Sequence, residues 1–213
     1  MIALKKTVSV TRKTTESNIH VGLDFSRVAD NYRSLIQTPL PFLSHMIEHI
    51  AYRGNVTIET QIQLDEFKLT HVICEDLGQT MGRAFLEYLN YAKEFGVAGY
   101  GFGIGIIDEA QASVAISFEN RVYFDFNHDN VAISEIAEGM ETADLVTFLE
   151  GFCQGALCTL HINVKKGINP HHIFEAVYRA FGICIKSAFA IQEELKGKTA
   201  GVAGSIVYDV SID

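Results

Sequence analysis

Two six-residue stretches decide the fold of this chain. They are Thr70-His71-Val72-Ile73-Cys74-Glu75 and Pro170-His171-His172-Ile173-Phe174-Glu175. They lie about 100 residues apart, and each opens a segment with the apolar spacing of a helix. Outward from both stretches, the chain repeats the order strand, strand, helix, strand, helix, which indicates an internal duplication.

The predicted elements follow from the spacing of apolar residues, which is two in strands and three or four in helices. In the first half, strands are predicted at 4–12, 18–25 and 55–64, a loop at 31–38, and helices at 42–53 and 70–93. In the second half, strands are predicted at 111–118, 121–126 and 157–164, and helices at 141–154 and 170–194. Glu119-Asn120 is expected to join the first two of these strands as a hairpin, and Asn169 to cap the last helix.

Two such units predict an α+β fold, with the helices packed on one face of mainly antiparallel sheets. We expect the first unit at 1–95 and the second at 96–213, together forming one compact domain. The run of alternating glycines at 99–105 matches neither a dinucleotide fingerprint nor a phosphate loop, and it is predicted to be a linker between the units.

Composition excludes several functional classes. The 213 residues are 48% hydrophobic, which argues against disorder, and the formal net charge of −9 argues against binding to nucleic acid or anionic membranes. No apolar run is long enough to span a bilayer. The four cysteines form no CxxC pair and mostly have apolar neighbours, which predicts buried thiols and a cytoplasmic protein.

The repeated helix starts carry the chemistry. His71 and Glu75 are four residues apart, as are His171 and Glu175, so each pair projects from one helix face. An imidazole and a carboxylate at this spacing suit Zn²⁺, Mn²⁺ or Fe²⁺, although one such pair alone is typical of a solvated helix face. Its recurrence at equivalent positions favours the metal interpretation.

Two further histidines bear on this interpretation. His172 adds an imidazole beside the second pair. His45 lies near the start of the helix at 42–53, four residues before His49. For His45 the alternatives are a metal ligand and a polar helix start.

Six motifs in order resemble the imidazoleglycerol-phosphate dehydratase family across nearly the whole chain. They are Arg12-x-Thr14-x-Glu16-Ser17-x-Ile19, Phe42-Leu43-Ser44-His45-Met46-Ile47, Ile107-Asp108-Glu109-Ala110, Asn120-Arg121, Thr159-Leu160-His161-Ile162 and Asn169-Pro170-His171-His172-Ile173-Phe174-Glu175-Ala176. The resemblance implies a fold like ribosomal protein S5 domain 2. It also implies a metal-dependent dehydratase of histidine biosynthesis, which is a carbon–oxygen lyase acting on a small polar substrate.

The resemblance implies manganese sites shared between subunits. One site would take His45, His71, Glu75 and His172, and all four are present. The other would take His171 and Glu175 together with histidines at two positions where Val72 and Thr147 stand. One complete Mn²⁺ site is therefore predicted, with Zn²⁺ or Fe²⁺ as alternatives.

Catalytic and substrate-binding residues also follow from the resemblance. The acid–base candidates are Glu16, the pair Asp108 and Glu109, and Glu175 with His171. The substrate-binding candidates are Arg121, Arg179, Lys198 and Thr199. Two positions where the family carries phosphate-binding arginine and lysine are Ala98 and Ala200 here.

The implied assembly is a homo-oligomer built from trimers, up to 24 subunits. An alternative function stays open at the level of sequence. Under this alternative, the chain is a diverged paralogue that keeps the fold and one metal site but lacks dehydratase activity. It would then bind another small ligand or form a structural assembly. The features that favour it are Val72, Thr147, Ala98 and Ala200.

Overall fold

The computed structural model describes residues 4–66, 68–204 and 206–212. The first unit contains β1 (Thr7–Lys13), β2 (Ser17–Asp24), α1 (Tyr32–Leu35), α2 (Pro41–Gly54), β3 (Thr57–Leu64) and α3 (Thr70–Ala92), followed by a 3₁₀ turn at Lys93–Phe95. The sheet order is β1-β2-β3, with both pairings antiparallel. Alternate residues of β2 are buried, because one face of this sheet packs against α3.

The second unit carries additional strands. Its elements are β4 (Tyr100–Ile107), β5 (Ala110–Ser117), β6 (Tyr123–Asn127), β7 (Ile136–Ala137), β8 (Met140–Glu141), α4 (Thr142–Ala156), β9 (Thr159–Lys166) and α5 (Pro170–Ala188), with a 3₁₀ turn at Glu193–Leu195. The main sheet has the order β4-β5-β9-β6, and β7 and β8 form a small separate hairpin.

The duplication is visible in the topology. The series β1-β2-α2-β3-α3 is matched by β4-β5-α4-β9-α5, and each set of three strands is antiparallel. Helix α3 packs on β1, β2 and α4, whereas α5 packs on β4, β5 and α2. The helices thus cover one face of each sheet, and the predicted α+β class is confirmed.

The predicted linker at 99–105 is wrong, because most of it forms β4. A Cβ atom on Gly103 would lie 2.2 Å from the carbonyl oxygen of Ala180, and one on Gly105 would lie 2.0 Å from that of Ala176. The glycines therefore allow the backbone of α5 to contact the strand directly. The alternate residues Phe102 and Ile104 point outward and are exposed.

The predicted hairpin between 111–118 and 121–126 is also wrong. Strand β5 instead forms its hairpin with β4, through a turn at Asp108 with a φ of 43°. Strand β6 pairs in parallel with β9. Alternation in sequence identifies strands, but it does not say which strands pair.

Helix α5 begins as predicted, since the Asn169 side chain accepts a hydrogen bond from the backbone N–H of His171 at 2.9 Å. The helix ends at Ala188, six residues before the predicted end. The following segment instead folds back on the second unit, where the N–H of Gln192 donates to the carbonyl of Gly96 at 2.8 Å.

The two units share a hydrophobic core. Phe152 of α4 lies 5.4 Å from Phe85 of α3 and 4.9 Å from Phe181 of α5, between ring centroids. All three rings are fully buried, which fixes these helices relative to one another. The division of the chain at residue 95 remains a prediction. Within the described residues, no helix is long and apolar enough to cross a membrane.

Candidate metal centre

Three side chains from two packed helices converge on one point. His45 lies in the second turn of α2, and His171 and Glu175 lie in the first two turns of α5. One ligand atom from each side chain lies within 4.8 Å of the other two. In the part of the chain that the structure describes, no other group of three or more His, Cys, Asp or Glu side chains meets this criterion.

Glu175 is the buried member of this triad, with 5% of its surface exposed. Its Oε2 lies 3.4 Å from Nε2 of His171, and its Oε1 contacts the guanidinium group of Arg179. Oε1 also lies 3.3 Å from Nε2 of His49. A buried carboxylate is costly unless it is paired, and Arg179 supplies the partner here.

The four histidines at the predicted site positions share one arrangement, in which Nδ1 faces a carboxylate. The Nδ1–carboxylate distances are 3.3 Å for His45 and Glu48, 3.6 Å for His71 and Asp144, 3.0 Å for His171 and Glu138, and 2.8 Å for His172 and Glu109. A carboxylate acceptor keeps the proton on Nδ1 and leaves Nε2 as the ligand atom. Metal-binding histidines commonly have such a partner.

The donor set fits a divalent cation. Two imidazole nitrogens with one carboxylate oxygen suit Mn²⁺, Fe²⁺ or Zn²⁺. A pocket of about 370 Å³ opens beside the triad, with His45, His171, Phe42 and Glu138 among its lining residues. A small molecule could therefore reach the triad from this side.

The pKa values of three site residues are shifted. The hydrogen bond with Glu109 raises the pKa of His172. The pKa of Glu109 falls to about 2, because its carboxylate accepts hydrogen bonds from the backbone N–H of Asn169 and from His172. Burial lowers the pKa of His49 to about 4, so this imidazole is neutral at pH 7 despite its neighbour Glu175.

Of the predicted four-residue metal set, the triad contains only His45. His45 meets His171 and Glu175, whereas His71 is exposed at the start of α3. The β7–β8 hairpin stands between them, since Gly139 and Met140 line both the pocket of His45 and that of His71.

The other two members of the predicted set have partners of their own. The Glu75 carboxylate accepts a hydrogen bond from the Gln79 side chain at 3.4 Å, and His172 faces Glu109. The resemblance implies that each metal site is shared between subunits. The four-residue set therefore remains a prediction about several chains together.

The two positions without histidine have other contacts. The Thr147 hydroxyl donates to the carbonyl of Ala143 at 3.1 Å, within its own helix. Val72 lines a pocket of about 100 Å³ together with Glu16, which is exposed at the turn between β1 and β2. The acid–base candidate Glu16 thus lies beside the start of α3.

The predicted substrate-binding residues are spread over the second unit. Arg179 contacts the triad, because its guanidinium group pairs with the carboxylate of Glu175. Arg121 precedes β6 and is exposed, as is Lys198, which follows the last 3₁₀ turn. The Thr199 hydroxyl donates to the carbonyl of Gly201 at 2.6 Å, within the same loop.

The acid–base candidates differ in their surroundings. Glu109 holds the start of α5, because it accepts hydrogen bonds from the N–H groups of Ile168 and Asn169. Asp108 is exposed at the β4–β5 turn, 3.8 Å from His172. Glu109 is therefore placed to orient His172, while Asp108 faces solvent.

The sequence interpretation missed Glu138 and Glu48. Glu48 follows His45 by three residues, a spacing that places both on one helix face, so it could have been found. Glu138 belongs to the turn between β7 and β8, far from His171 in sequence, and only the fold reveals the contact.

Comparisons with known proteins show which family this chain resembles. A family model described as imidazoleglycerol-phosphate dehydratase matches residues 38–185. Proteins of that name from Burkholderia cenocepacia and Burkholderia multivorans are each 33% identical over 202 residues, covering 94% of this chain and 100% of the relative.

Solved structures give the same result. The crystal structure of IGPD from Pyrococcus furiosus in complex with (S)-C348 has a TM-score of 0.74 and 26% identity, covering 92% of this chain and 99% of that chain. The imidazoleglycerol-phosphate dehydratase from Staphylococcus aureus has a TM-score of 0.68 at 23% identity, covering 87% of this chain and 100% of that chain, and it supports the fold alone.

Proposed function

This chain belongs to the imidazoleglycerol-phosphate dehydratase family of carbon–oxygen lyases, and from this premise we propose that it removes water from imidazole glycerol phosphate. The observation that carries the proposal is the triad of His45, His171 and Glu175, formed at a pocket that a small substrate can enter. The comparisons do not favour the alternative of a diverged binding protein.

The triad would hold one divalent cation, and we propose Mn²⁺, with Zn²⁺ and Fe²⁺ as alternatives. When bound, the cation supplies a Lewis acid and a template for the substrate. Glu48 and Glu138 orient the two imidazoles through Nδ1. Arg179 pairs with the buried carboxylate of Glu175.

Dehydration requires a group that takes a proton from carbon and a group that gives one to the leaving hydroxyl. Of the predicted candidates, Glu175 and His171 are triad members, and Glu109 is engaged at the start of α5. This leaves Glu16 and Asp108, both exposed, as the groups that we propose move these protons. Each lies near the start of a long helix that carries a site histidine.

We also propose a homo-oligomer. His71, Glu75 and His172 lie outside the triad, and sharing between chains would allow them to add ligands beside the triad of a neighbouring chain. The outer face of β4 supports this proposal, because Tyr100, Phe102, Ile104 and Ile106 are each more than half exposed. The four cysteines are free and buried, which supports a cytoplasmic location.

The test combines metal analysis with turnover. Purified protein is expected to contain at least one divalent cation per chain and to dehydrate imidazole glycerol phosphate, and chelation is expected to abolish turnover. His45→Ala is expected to lose both the metal and the activity. His161→Ala is the matched control, since His161 lies on β9 and is paired with Asp125.

Two further variants address the proton-transfer groups. Glu16→Gln and Asp108→Asn are each expected to lower kcat by about 10²- to 10⁴-fold with the metal content unchanged. Full metal occupancy without turnover of imidazole glycerol phosphate would refute the proposed reaction.

A further inference from the structure

Asp76 is a buried carboxylate that the proposed reaction does not use. It lies on α3 next to Glu75, and 6% of its surface is exposed. Its Oδ2 accepts a hydrogen bond from the Ser17 hydroxyl at 2.7 Å and lies 2.6 Å from Nη1 of Arg12. A buried carboxylate needs such partners, and both of them belong to the β1–β2 hairpin. Asp76 therefore joins this hairpin to α3.

The turn of the same hairpin carries Glu16, one of the two proposed proton-transfer groups. Inside the turn, the Thr14 hydroxyl accepts hydrogen bonds from the N–H groups of Glu16 and Ser17, at 3.1 and 3.0 Å. The carbonyl of Glu16 accepts another from the N–H of Asp65 at 3.1 Å. The backbone on both sides of the Glu16 side chain is thus fixed, and Asp76 attaches this fixed turn to the helix.

The attachment matters because the Glu16 side chain is exposed, so its position depends on the backbone of the turn. Glu16 lines a pocket of about 100 Å³ together with Leu69 and Val72 at the start of α3. A proton-transfer group must stay within hydrogen-bond reach of the reacting atom, and a displacement of about 1 Å can lower a rate on the order of 100-fold. A hairpin held to α3 keeps Glu16 at a fixed distance from this helix start.

The second unit attaches its equivalent turn to its helix through a different residue. The β4–β5 turn carries Asp108, the other proposed proton-transfer group. There Glu109 accepts hydrogen bonds from two backbone N–H groups that precede α5. The position equivalent to Asp76 is Ala176, which has no polar side chain. Asp76 therefore holds the turn of Glu16 and not that of Asp108.

We propose that Asp76 is a positioning residue for proton transfer by Glu16, acting through Arg12 and Ser17. The inference rests on the proposed function for the reaction and adds to it a buried residue of α3. Asp76→Asn keeps the size of the side chain and an acceptor for Ser17, but it removes the charge that faces Arg12. We expect kcat to fall about 10- to 100-fold, with KM and the metal content nearly unchanged.

A double-mutant cycle separates positioning from a general loss of stability. Asp76→Asn is expected to lower kcat little further in the Glu16→Gln background, because the group that it positions is already lost. In the Asp108→Asn background the two losses are expected to multiply, since other contacts hold the β4–β5 turn. Arg12→Lys keeps the charge beside Asp76 and is expected to retain more of kcat than Arg12→Gln.

The matched control is Glu87→Gln. Glu87 lies on the same helix and pairs with Arg83, so this variant also breaks a carboxylate–guanidinium pair, but away from the hairpin. Its kcat is expected to equal that of the wild type. Melting temperatures show whether each variant is folded. If Asp76→Asn does not fold, Arg12→Gln tests the same contact from its partly exposed side.

A second measurement does not depend on turnover. Hydrogen exchange of the amides in residues 13–18, followed by mass spectrometry, is expected to be about tenfold faster in Asp76→Asn than in the wild type, and unchanged in Glu87→Gln. Unchanged exchange or unchanged kcat in Asp76→Asn would overturn the inference, as would a full loss of kcat in the Glu16→Gln background. If the wild type does not dehydrate imidazole glycerol phosphate, the reaction is refuted, and faster exchange alone then supports the anchoring of the turn.

Discussion

Replacing Glu138 by glutamine tests whether the carboxylates behind the histidines matter for the metal. Oε1 of Glu138 lies 3.0 Å from Nδ1 of His171, whose Nε2 faces Glu175. Loss of such a partner weakens metal binding about 10- to 100-fold, or about 1.4–2.7 kcal/mol. The Glu138 side chain is 57% exposed, so solvent screens its charge, and we expect the lower end, about tenfold.

The assay is competition for Mn²⁺ against a fluorescent chelator at pH 7.5, with melting temperatures recorded in parallel. Glu135→Gln is the control, because Glu135 is an exposed carboxylate in the same segment. Its Mn²⁺ affinity is expected to match the wild type. An unchanged Kd in Glu138→Gln, with the fold intact, would refute the reasoning that this contact orients His171.

Two further predictions concern stability. In the metal-free protein, the lowered pKa of Glu109 stabilises the fold at pH values above the ordinary pKa of 4.5, and this stabilisation disappears as the pH falls through about 2. The raised pKa of His172 stabilises the fold at pH values below 6.5, and this stabilisation is lost as the pH rises through the pKa of His172 in the folded protein. The difference in melting temperature between wild type and Glu109→Gln is therefore expected to be largest between about pH 4.5 and 6.5, and a constant difference would contradict this. Gly103→Ala places a Cβ 2.2 Å from the Ala180 carbonyl and is expected to cost about 1–3 kcal/mol in urea unfolding, whereas Gly22→Ala, with its nearest neighbour at 3.5 Å, serves as the control.

Much of the fold could be predicted from local pattern. Strand β2 alternates buried and half-buried residues along its length, and Asn169 caps α5 as expected. Strand β4 was missed because glycine is unfavourable in strands. The exposed residues Phe102 and Ile104 alternate with the glycines, and this period of two is the sequence pattern that predicts a strand.

The sequence predicts which residues belong to the site better than it predicts which of them lie together. His45, His171 and Glu175 were all candidates, yet His45 was assigned to a different metal set. A repeat shows which positions are equivalent, but it does not show which of them approach one another in three dimensions. That depends on the packing of α2 against α5.

The contact between β4 and α5 also shapes how this protein can vary. Gly103 and Gly105 accept no side chain, because any Cβ would meet the helix backbone. Phe102 and Ile104, between and beside them, face outward. Substitutions are thus expected to act on the helix packing at every second residue of the strand and on the proposed contact between chains at the residues that alternate with them. Changes on the outer face can therefore alter the assembly without disturbing the helix that carries His171 and Glu175.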